Sequence, residues 1–522
     1  MKIIFVVPKF EMVPVGIGYI LAVIKKAGYD VDCLYKKNLH DIDSALKNKK
    51  YDLLCTGGMS SDYNKINDIV QVAKKNKIKV ILGGAIVTCE PELISRSLNI
   101  DYSVIGEGEE TIIDLLNALK NNIDLASVAG IGYFAENIFT ITGNRKSSVN
   151  LDTLPYPEWD MLSFEESLAQ QTPSTHMHYP FDYPRLYPII GSRSCPYHCT
   201  FCYHPLGSKY RQRGIPSIID ELKVMIPKYK INIVSLYDEL FSQSKDRVLL
   251  FCNEIIELQK ITPWKLLWSC QMRVDHIDKE LLAMMRAAGC YMISYGFESY
   301  SDIVLKSMKK RIAPEQIHQA IHITRNQGIG IQANFIFGDI SENMDTAELT
   351  LDFWKKHSFA SINLLFIMPI PNSEIYKYCV LNGIISDKLD FIKNNKIFSL
   401  YNMTKLNDKK FMSLQNKIKR THLQYKIMVV AKKIDNNHLE IECPDCSNIS
   451  IYRNVFISSP IGIKKLFFCF PIYCRHCNSK FYAVSPLYRL IARRFAFLVE
   501  STNIVQLYSF FKKIKIMALS VK

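Results

Sequence analysis

Gly191-Ser-Arg-Ser-Cys195-Pro-Tyr-His-Cys199-Thr-Phe-Cys202 sets three thiols at C-x3-C-x2-C spacing directly after the apolar run Tyr187 to Ile190. Three thiolates within eight residues can hold three irons of a [4Fe-4S] cube and leave the fourth iron without a protein ligand. That open iron is a place for chemistry. His198 or His204 could complete a Cys3His zinc set instead, but structural zinc patterns pair their ligands in two separated knuckles. A disulfide fits less well, because three thiols cannot pair among themselves.

Downstream, strand-like runs alternate with amphipathic helical patterns. The runs are Ile231–Leu236, Lys265–Ser269, Tyr291–Tyr295, Gly330–Phe337 and Ser361–Met368. With the strand before the cysteines they make six β/α units, which predicts a partial (β/α)6 TIM-type barrel over residues 185–404. Active sites of such barrels lie at the carboxyl ends of the strands. Those ends carry Asp238 and Glu239, Arg273, Glu298, and Asn334 leading to Gly338-Asp339. Taken one at a time, each charge also reads as a surface ion pair.

Upstream, Lys2–Val7, Val31–Tyr35, Asp52–Cys55, Lys79–Leu82 and Tyr102–Ile105 alternate with helical patterns, predicting a doubly wound, Rossmann-like parallel sheet over 1–121. Ligands of such sheets sit beyond the carboxyl ends of the strands. Glycine-rich loops fall there: Gly16 and Gly18, Gly57-Gly58-Met59-Ser60, Gly83-Gly84, and Gly106-Glu107-Gly108. Such loops let backbone approach a flat ligand, and they equally serve tight strand-to-helix turns. Cys33, Cys55 and Cys89 read as buried small hydrophobes.

Residues 122–184 read as a connector, since Pro155, Pro157, Pro173, Pro180 and Pro184 interrupt any long helix. A lysine-rich helical linker (405–440) leads into Cys443-Pro-Asp-Cys446 and Cys474-Arg-His-Cys477. Two C-x2-C knuckles on apolar flanks predict a zinc ribbon over 441–482, with an auxiliary iron–sulfur cluster as the alternative. The tail, 483–522, mixes Arg489, Arg493, Arg494, Lys512, Lys513 and Lys515 with aromatics. It reads either as helices packed on the body or as an interfacial helix that docks on anionic lipid.

The chain has 522 residues, too many for one core, with 48% hydrophobic and 22% charged residues, an ordinary globular balance. Its net charge of +15 fits solvated lysine-rich faces or an anionic partner such as nucleic acid, phosphorylated substrate or a membrane surface. Fifteen cysteines, seven of them in metal-like groups, point to a reducing, cytoplasmic setting. The first residues are interrupted too soon for a signal peptide, and no apolar run has the length of a membrane span.

The cysteine stretch resembles the radical S-adenosylmethionine (SAM) superfamily, whose signature is C-x3-C-x-aromatic-C, with Phe201 as the aromatic beside the adenine of SAM. The resemblance implies that the cluster chelates SAM through its unique iron and cleaves it reductively to a 5′-deoxyadenosyl radical. It places Asp238, Glu239, Arg273 and Glu298 near SAM. Pro369-Ile-Pro-Asn372 departs from the family's Pro-x-Pro-Gly, and asparagine tolerates the left-handed backbone that the turn would need.

The glycine loops, in order and content, resemble the cobalamin-binding domain that precedes many radical SAM barrels. That assigns Gly16, Gly18, Gly57, Gly58, Ser60, Gly83, Gly84, Gly106, Glu107 and Gly108 to the corrin. The Asp-x-His-x-x-Gly motif that supplies a cobalt ligand elsewhere is absent, and Pro8 to Val15 contains no histidine. The resemblance implies a cobalamin-dependent methyltransferase acting on an unactivated carbon or phosphorus of a small-molecule substrate. Methyl would come from methylcobalamin, the cobalt being remethylated by a second SAM, and a flavodoxin or ferredoxin would donate the electron. Two rivals stand beside it: a radical cyclase or oxidase with the same cofactors, and an RNA-binding or RNA-modifying protein that uses the ribbon.

Overall fold

A computed structural model describes all residues except 11–12, 146–149, 175–179, 358–361, 395–400, 436–437, 456–467 and 499–522. The chain divides into two compact units that do not follow chain order. The first comprises residues 1–169, 186–241 and 368–401; the second comprises 170–185, 242–367 and the chain from 402 onward.

In the first unit, β1 (Lys2–Val7), β2 (Asp30–Tyr35), β3 (Leu53–Gly57), β4 (Lys79–Gly83) and β5 (Tyr102–Val104) pair in parallel in the order β2-β1-β3-β4-β5. The central strands are unbroken apolar runs because helices cover both faces; Ile3, Ile4, Leu54, Val80 and Leu82 are buried. The helices show the matching period. In Tyr63–Lys75, Ile66, Ile69, Val70 and Ala73 form the buried stripe.

Two further strands, β6 (Ile131–Ala135) and β7 (Ile138–Ile141), extend this sheet antiparallel, within residues 122–184, where the prolines predict a connector. Their two-residue turn is Glu136-Asn137, both at positive φ (48° and 68°). That is the backbone of a hairpin turn matched to strand twist, but without the glycine that makes such turns conspicuous.

The same unit holds the first two barrel strands and the cysteine loop between them. β8 (Leu186–Ile189) runs into a short hairpin, β9 (Ser192–Arg193) with β10 (Arg211–Gln212), that closes the base of the loop. β11 (Ile233–Leu236) then pairs in parallel with β8.

In the second unit, β12 (Leu267–Met272), β13 (Cys290–Glu298), β14 (Gly330–Phe337) and β15 (Asn363–Phe366) pair in parallel in that order, with helices between them. With β8 and β11 they give the strand–helix succession of a (β/α)6 partial barrel. A register shift between Gly296 and Glu298 leaves Phe297 out of the ladder, and Glu298, paired with Phe335, stands at φ 62°.

The ribbon also belongs to the second unit. Leu439–Glu442 pairs with Ile449–Tyr452, and Cys469–Tyr473 pairs with Lys480–Val484, over a core that includes Ile441, Tyr452, Ile472 and Phe481. Asn478 donates to the Gly328 carbonyl at 2.9 Å, Arg325 pairs with Asp445 at 3.2 Å, and Asp182 receives Arg475 at 2.5 Å.

The described part of the tail is the helix Pro486–Leu498. Its Ala492 packs with Met428 and Val484, while Leu487, Leu490, Arg493 and Arg494 face solvent. Lys512, Lys513 and Lys515 lie outside the described residues. No helix among the described residues is long and apolar enough to cross a membrane.

Candidate functional site

The loop bearing Cys195, Cys199 and Cys202 is fixed from its base. Asp238, fully buried at the end of β11, accepts from the Gly191 amide at 2.6 Å and the Ser192 hydroxyl at 2.8 Å. Arg213 reaches the Ile190 carbonyl at 3.2 Å and the buried Glu221 at 2.7 Å. Glu221 also accepts from Tyr187 on β8 at 2.5 Å, and Tyr187 accepts from the Trp159 indole at 2.9 Å. Every member of this buried chain has a partner, as a low-dielectric site demands.

Within the loop, Ser194 stands at φ 66° and the Cys202 amide donates to the Cys199 carbonyl at 3.1 Å. The three thiols are half-buried. Three soft donors on one pinned loop fit a [4Fe-4S] cube, with one iron left open.

A cavity of about 800 Å³ adjoins this loop. Gly16, Gly57, Gly58, Gly83, Gly84, Gly106, Glu107 and Gly108 line one side of it, and Ile190, Ser192, Arg193, Ser194, Tyr237 and Glu239 line the other. The loops read as cofactor-facing and the flank of the cysteine loop therefore border one space.

Close backbone approach dictates the glycines of the β3 and β4 loops. A Cβ on Gly84, whose φ is 91°, would stand 2.7 Å from the Gly58 carbonyl, and one on Gly57 would stand 2.9 Å from the Gly83 carbonyl. At Gly16 and Gly106 a Cβ would meet nothing within 4 Å. Missing side chains at the wall leave room for a flat ligand, so the cavity fits a corrin. Its remaining wall is largely apolar, including Phe5, Phe10, Ile17, Ile20 and Leu206, and among the described lining residues there is no histidine.

Some expected positions fall elsewhere. Gly18 packs on the chain that follows the sheet; a Cβ there would come 2.9 Å from Pro157, and the Gly18 carbonyl accepts from the Glu158 amide. Among the described residues, Ser60 and Phe201 are not part of the cavity wall, where Met59 and Ser61 stand instead of Ser60. Glu107 does border the cavity, but its carboxylate is clasped by Arg193 and Arg211. Arg193 also holds Glu109 at 2.5 Å. Glu109, Arg193 and Arg211 are not among the residues that the sequence predicts for the site. The only trace of them was an arginine inside the cysteine stretch and a second acid in Gly-Glu-Gly-Glu.

Of the four barrel residues expected near SAM, Asp238 and Glu239 belong to the first unit. Glu239, exposed on the cavity wall, lies 3.2 Å from His204 Nδ1, and its hydrogen bond holds that imidazole above its usual range. Arg273 and Glu298 belong to the second unit. Arg273 is spent on Asp275, at 2.9 Å through two nitrogens, and on the carbonyls of Lys310 and Arg311. Glu298 pairs with Lys310 at 2.8 Å.

Asn372 adopts φ 71°, the left-handed backbone expected of it in place of glycine. Cys55 and Cys89 are buried and Cys33 partly so, and burial pushes each thiol up to about 12.

The C-terminal thiols form a second arrangement. Cys443, Cys446, Cys474 and Cys477 bring their sulfurs within 4.8 Å of one another, with Cys443–Cys477 and Cys446–Cys474 both at 3.6 Å. Tetrahedral zinc with Zn–S near 2.3 Å asks for sulfurs about 3.8 Å apart, so the set fits a closed four-thiolate site. Shared hydrogen bonds pull Cys477 far below the ordinary thiol range and drive Cys443 far above it. Held as thiolates, the four sulfurs would carry a charge that a bound cation discharges.

Comparison with known proteins gives two family matches: the B12 binding domain over residues 1–116 and the Radical SAM superfamily over 189–353. Together they span just over half of the chain. The chain is similar to the cytidylyl-2-hydroxyethylphosphonate methyltransferase of Streptomyces wedmorensis, at 25% identity over 75% of this chain and 80% of the relative. It is also similar to the anaerobic magnesium-protoporphyrin IX monomethyl ester cyclase of Rubrivivax gelatinosus, at 25% identity over 72% of this chain and 70% of the relative. Among solved structures, the radical SAM methyltransferase TsrM from Kitasatospora setae, with cobalamin and a [4Fe-4S] cluster bound, shares the fold. The TM-score is 0.59 at 17% identity, covering 73% of this chain and 76% of that one. The chain thus carries a B12 binding domain followed by a domain of the Radical SAM superfamily, and is an enzyme.

Proposed function

We propose that the protein is a cobalamin-dependent methyltransferase that acts on an unactivated carbon or phosphorus of a small molecule. The observation that carries this reading is the single cavity bordered both by the glycine loops of the B12 binding domain and by the flank of the cysteine loop. In this reading Cys195, Cys199 and Cys202 hold the [4Fe-4S] cluster, and the cavity's glycine edges take the corrin. When bound, the cluster supplies the electron that cleaves SAM to a 5′-deoxyadenosyl radical, and cobalamin supplies a methyl carrier.

The chain's own residues contribute placement and shelter. Asp238 holds the first residues of the cysteine loop, so that SAM meets a loop already ordered. Glu239 offers a carboxylate toward SAM's charged or hydroxyl groups from the cavity wall. Phe5, Ile17, Ile20 and Leu206 keep the wall apolar, which excludes water from a radical reaction. The electron would come from a flavodoxin or ferredoxin.

Anaerobic reconstitution with iron, sulfide and hydroxocobalamin tests the reading. Retained corrin absorption, with both 5′-deoxyadenosine and S-adenosylhomocysteine formed after reduction, is the expected result. Corrin with 5′-deoxyadenosine but no S-adenosylhomocysteine would move the assignment to the cyclase outcome, which similarity to the Rubrivivax gelatinosus enzyme keeps in view. Loss of corrin would end the methyl-transfer assignment.

For the ribbon we propose zinc as a structural staple. The turns at its knuckles are already engaged, Asp445 by Arg325, Arg475 by Asp182 and Asn478 by the Gly328 carbonyl, which favours packing over reading nucleic acid. Filter binding of RNA against salt checks this, because phosphate contacts would give a steep dependence.

A further inference from the structure

We propose that Glu107, Glu109, Arg193 and Arg211 form a clamp that sets the separation between the acidic turn after β5 and the cysteine loop, and with it the spacing of the two cofactors in the cavity. The proposal rests on the assignment of those two loops to corrin and cluster given above.

The geometry is that of a built device. Arg193 and Arg211 are directly opposed across the β9–β10 hairpin that closes the cysteine loop. Both reach one carboxylate: Arg193 Nη1 lies 3.2 Å from Glu107 Oε1, and Arg211 holds Oε1 through Nη2 and Oε2 through Nη1, the latter at 3.1 Å. Arg193 Nη2 takes Glu109 at 2.5 Å. The four side chains are only 5 to 13% exposed, so water screens them little. The Arg193 guanidinium also lies over the Tyr19 ring, 5.8 Å from its centroid.

Two charges of each sign balance here: Glu107 stands in the turn after β5, Glu109 in the first turn of the helix Gly108–Asn121, and Arg193 and Arg211 on the hairpin that closes the cysteine loop. A clasp needed only for stability could sit anywhere along the contact. This one joins the residue two places before Cys195 to the residue directly after Gly106. These are positioning residues, acting through the loops that they hold.

The test uses the full reconstituted chain with SAM, hydroxocobalamin and titanium(III) citrate, in the wild type, Glu107→Gln and the milder Glu109→Gln. Two products are counted: 5′-deoxyadenosine, which needs only the cluster loop and SAM, and S-adenosylhomocysteine, which needs SAM's methyl brought to the reduced corrin. Misplacement by about an ångström costs up to roughly 100-fold in a step that depends on alignment. Glu107→Gln should therefore lower S-adenosylhomocysteine by about 10- to 100-fold while 5′-deoxyadenosine falls less than about threefold. Glu109→Gln should shift the ratio the same way by less. Arg211→Lys, which keeps the charge, should hold the ratio nearer to wild type than Arg211→Gln.

An unchanged ratio, or both products falling together, overturns the clamp and leaves an ordinary folding contact. If the wild type makes no S-adenosylhomocysteine, it is the methyl-transfer reading that fails. The clamp is then judged by hydrogen exchange of residues 191–213: faster exchange in Glu107→Gln supports it, and exchange equal to wild type overturns it.

Discussion

In the proposed assignment the two cysteine sets use the same ligand atom to opposite ends. At Cys195, Cys199 and Cys202 three half-buried thiols sit on one loop that has no core of its own; the loop is ordered from outside, by Asp238 and by Arg193 and Arg211. At Cys443, Cys446, Cys474 and Cys477 two hairpins bring four sulfurs within 4.8 Å over a private apolar core. A complete ligand set leaves a metal nothing further to bind and turns its affinity into stability, whereas an incomplete set leaves a coordination position for substrate. The number of donors and where the order of the loop comes from separate the two roles; the spacing C-x2-C, which occurs in both, does not.

The sharpest way to break this contrast is Cys199→Ser. It should abolish 5′-deoxyadenosine formation and cut iron content, with zinc content and thermal midpoint close to wild type. An equal loss of zinc would mean that the sites are not independent. Next in size is Cys477→Ser, or chelation of the ribbon metal. Zinc binding to such sets is worth about 10 kcal/mol or more. Each kcal/mol moves the midpoint of a domain of this size by roughly 2–4 °C, so a fall of about 10 °C or more is expected by calorimetry, with iron retained. An unmoved midpoint would refute the staple.

A smaller change sharpens the first site alone. Gly84→Ala forces a Cβ against the Gly58 carbonyl at φ 91°, a strain of about 1–3 kcal/mol. Corrin retention on gel filtration should fall while iron stays, and equal loss of both would count against separate loops for the two cofactors.

The smallest effect lies away from both thiol sets. Glu342, buried in the loop that follows β14, has its carboxyl pushed up to about 8 by burial, and it accepts from the Gly338 amide at 2.5 Å. A carboxyl raised above its unfolded value binds a proton that the unfolded chain has released. Its contribution is therefore complete below pH of about 4.5 and is lost as pH rises toward 8. Glu342→Gln should flatten the fall of thermal midpoint across that window; an identical pH slope in the two proteins would remove Glu342 from the account.

Local chemistry was legible wherever one residue type at one spacing forces one geometry. The paired knuckles, the five parallel strands of the first sheet and the left-handed turn at Asn372 all follow from the identity of a few neighbours. The hairpin at Glu136-Asn137 carries no glycine in its left-handed pair, and Gly18 stands against Pro157, where a glycine demanded by a neighbouring chain looks the same in sequence as one demanded by a ligand.

The sequence by itself determined the kind of chemistry: which donors are present, how many, and that strand ends bring them to a site. Only the tertiary structure decided which charges serve that site and which serve each other. Glu107 and Arg193 lie 86 residues apart and share one ion-pair cluster, and Arg273 is spent on Asp275 and two carbonyls. The reason is physical. Covalent spacing fixes distances only over a turn or a loop, whereas the partner of a buried charge is chosen by the packing that removes water from both.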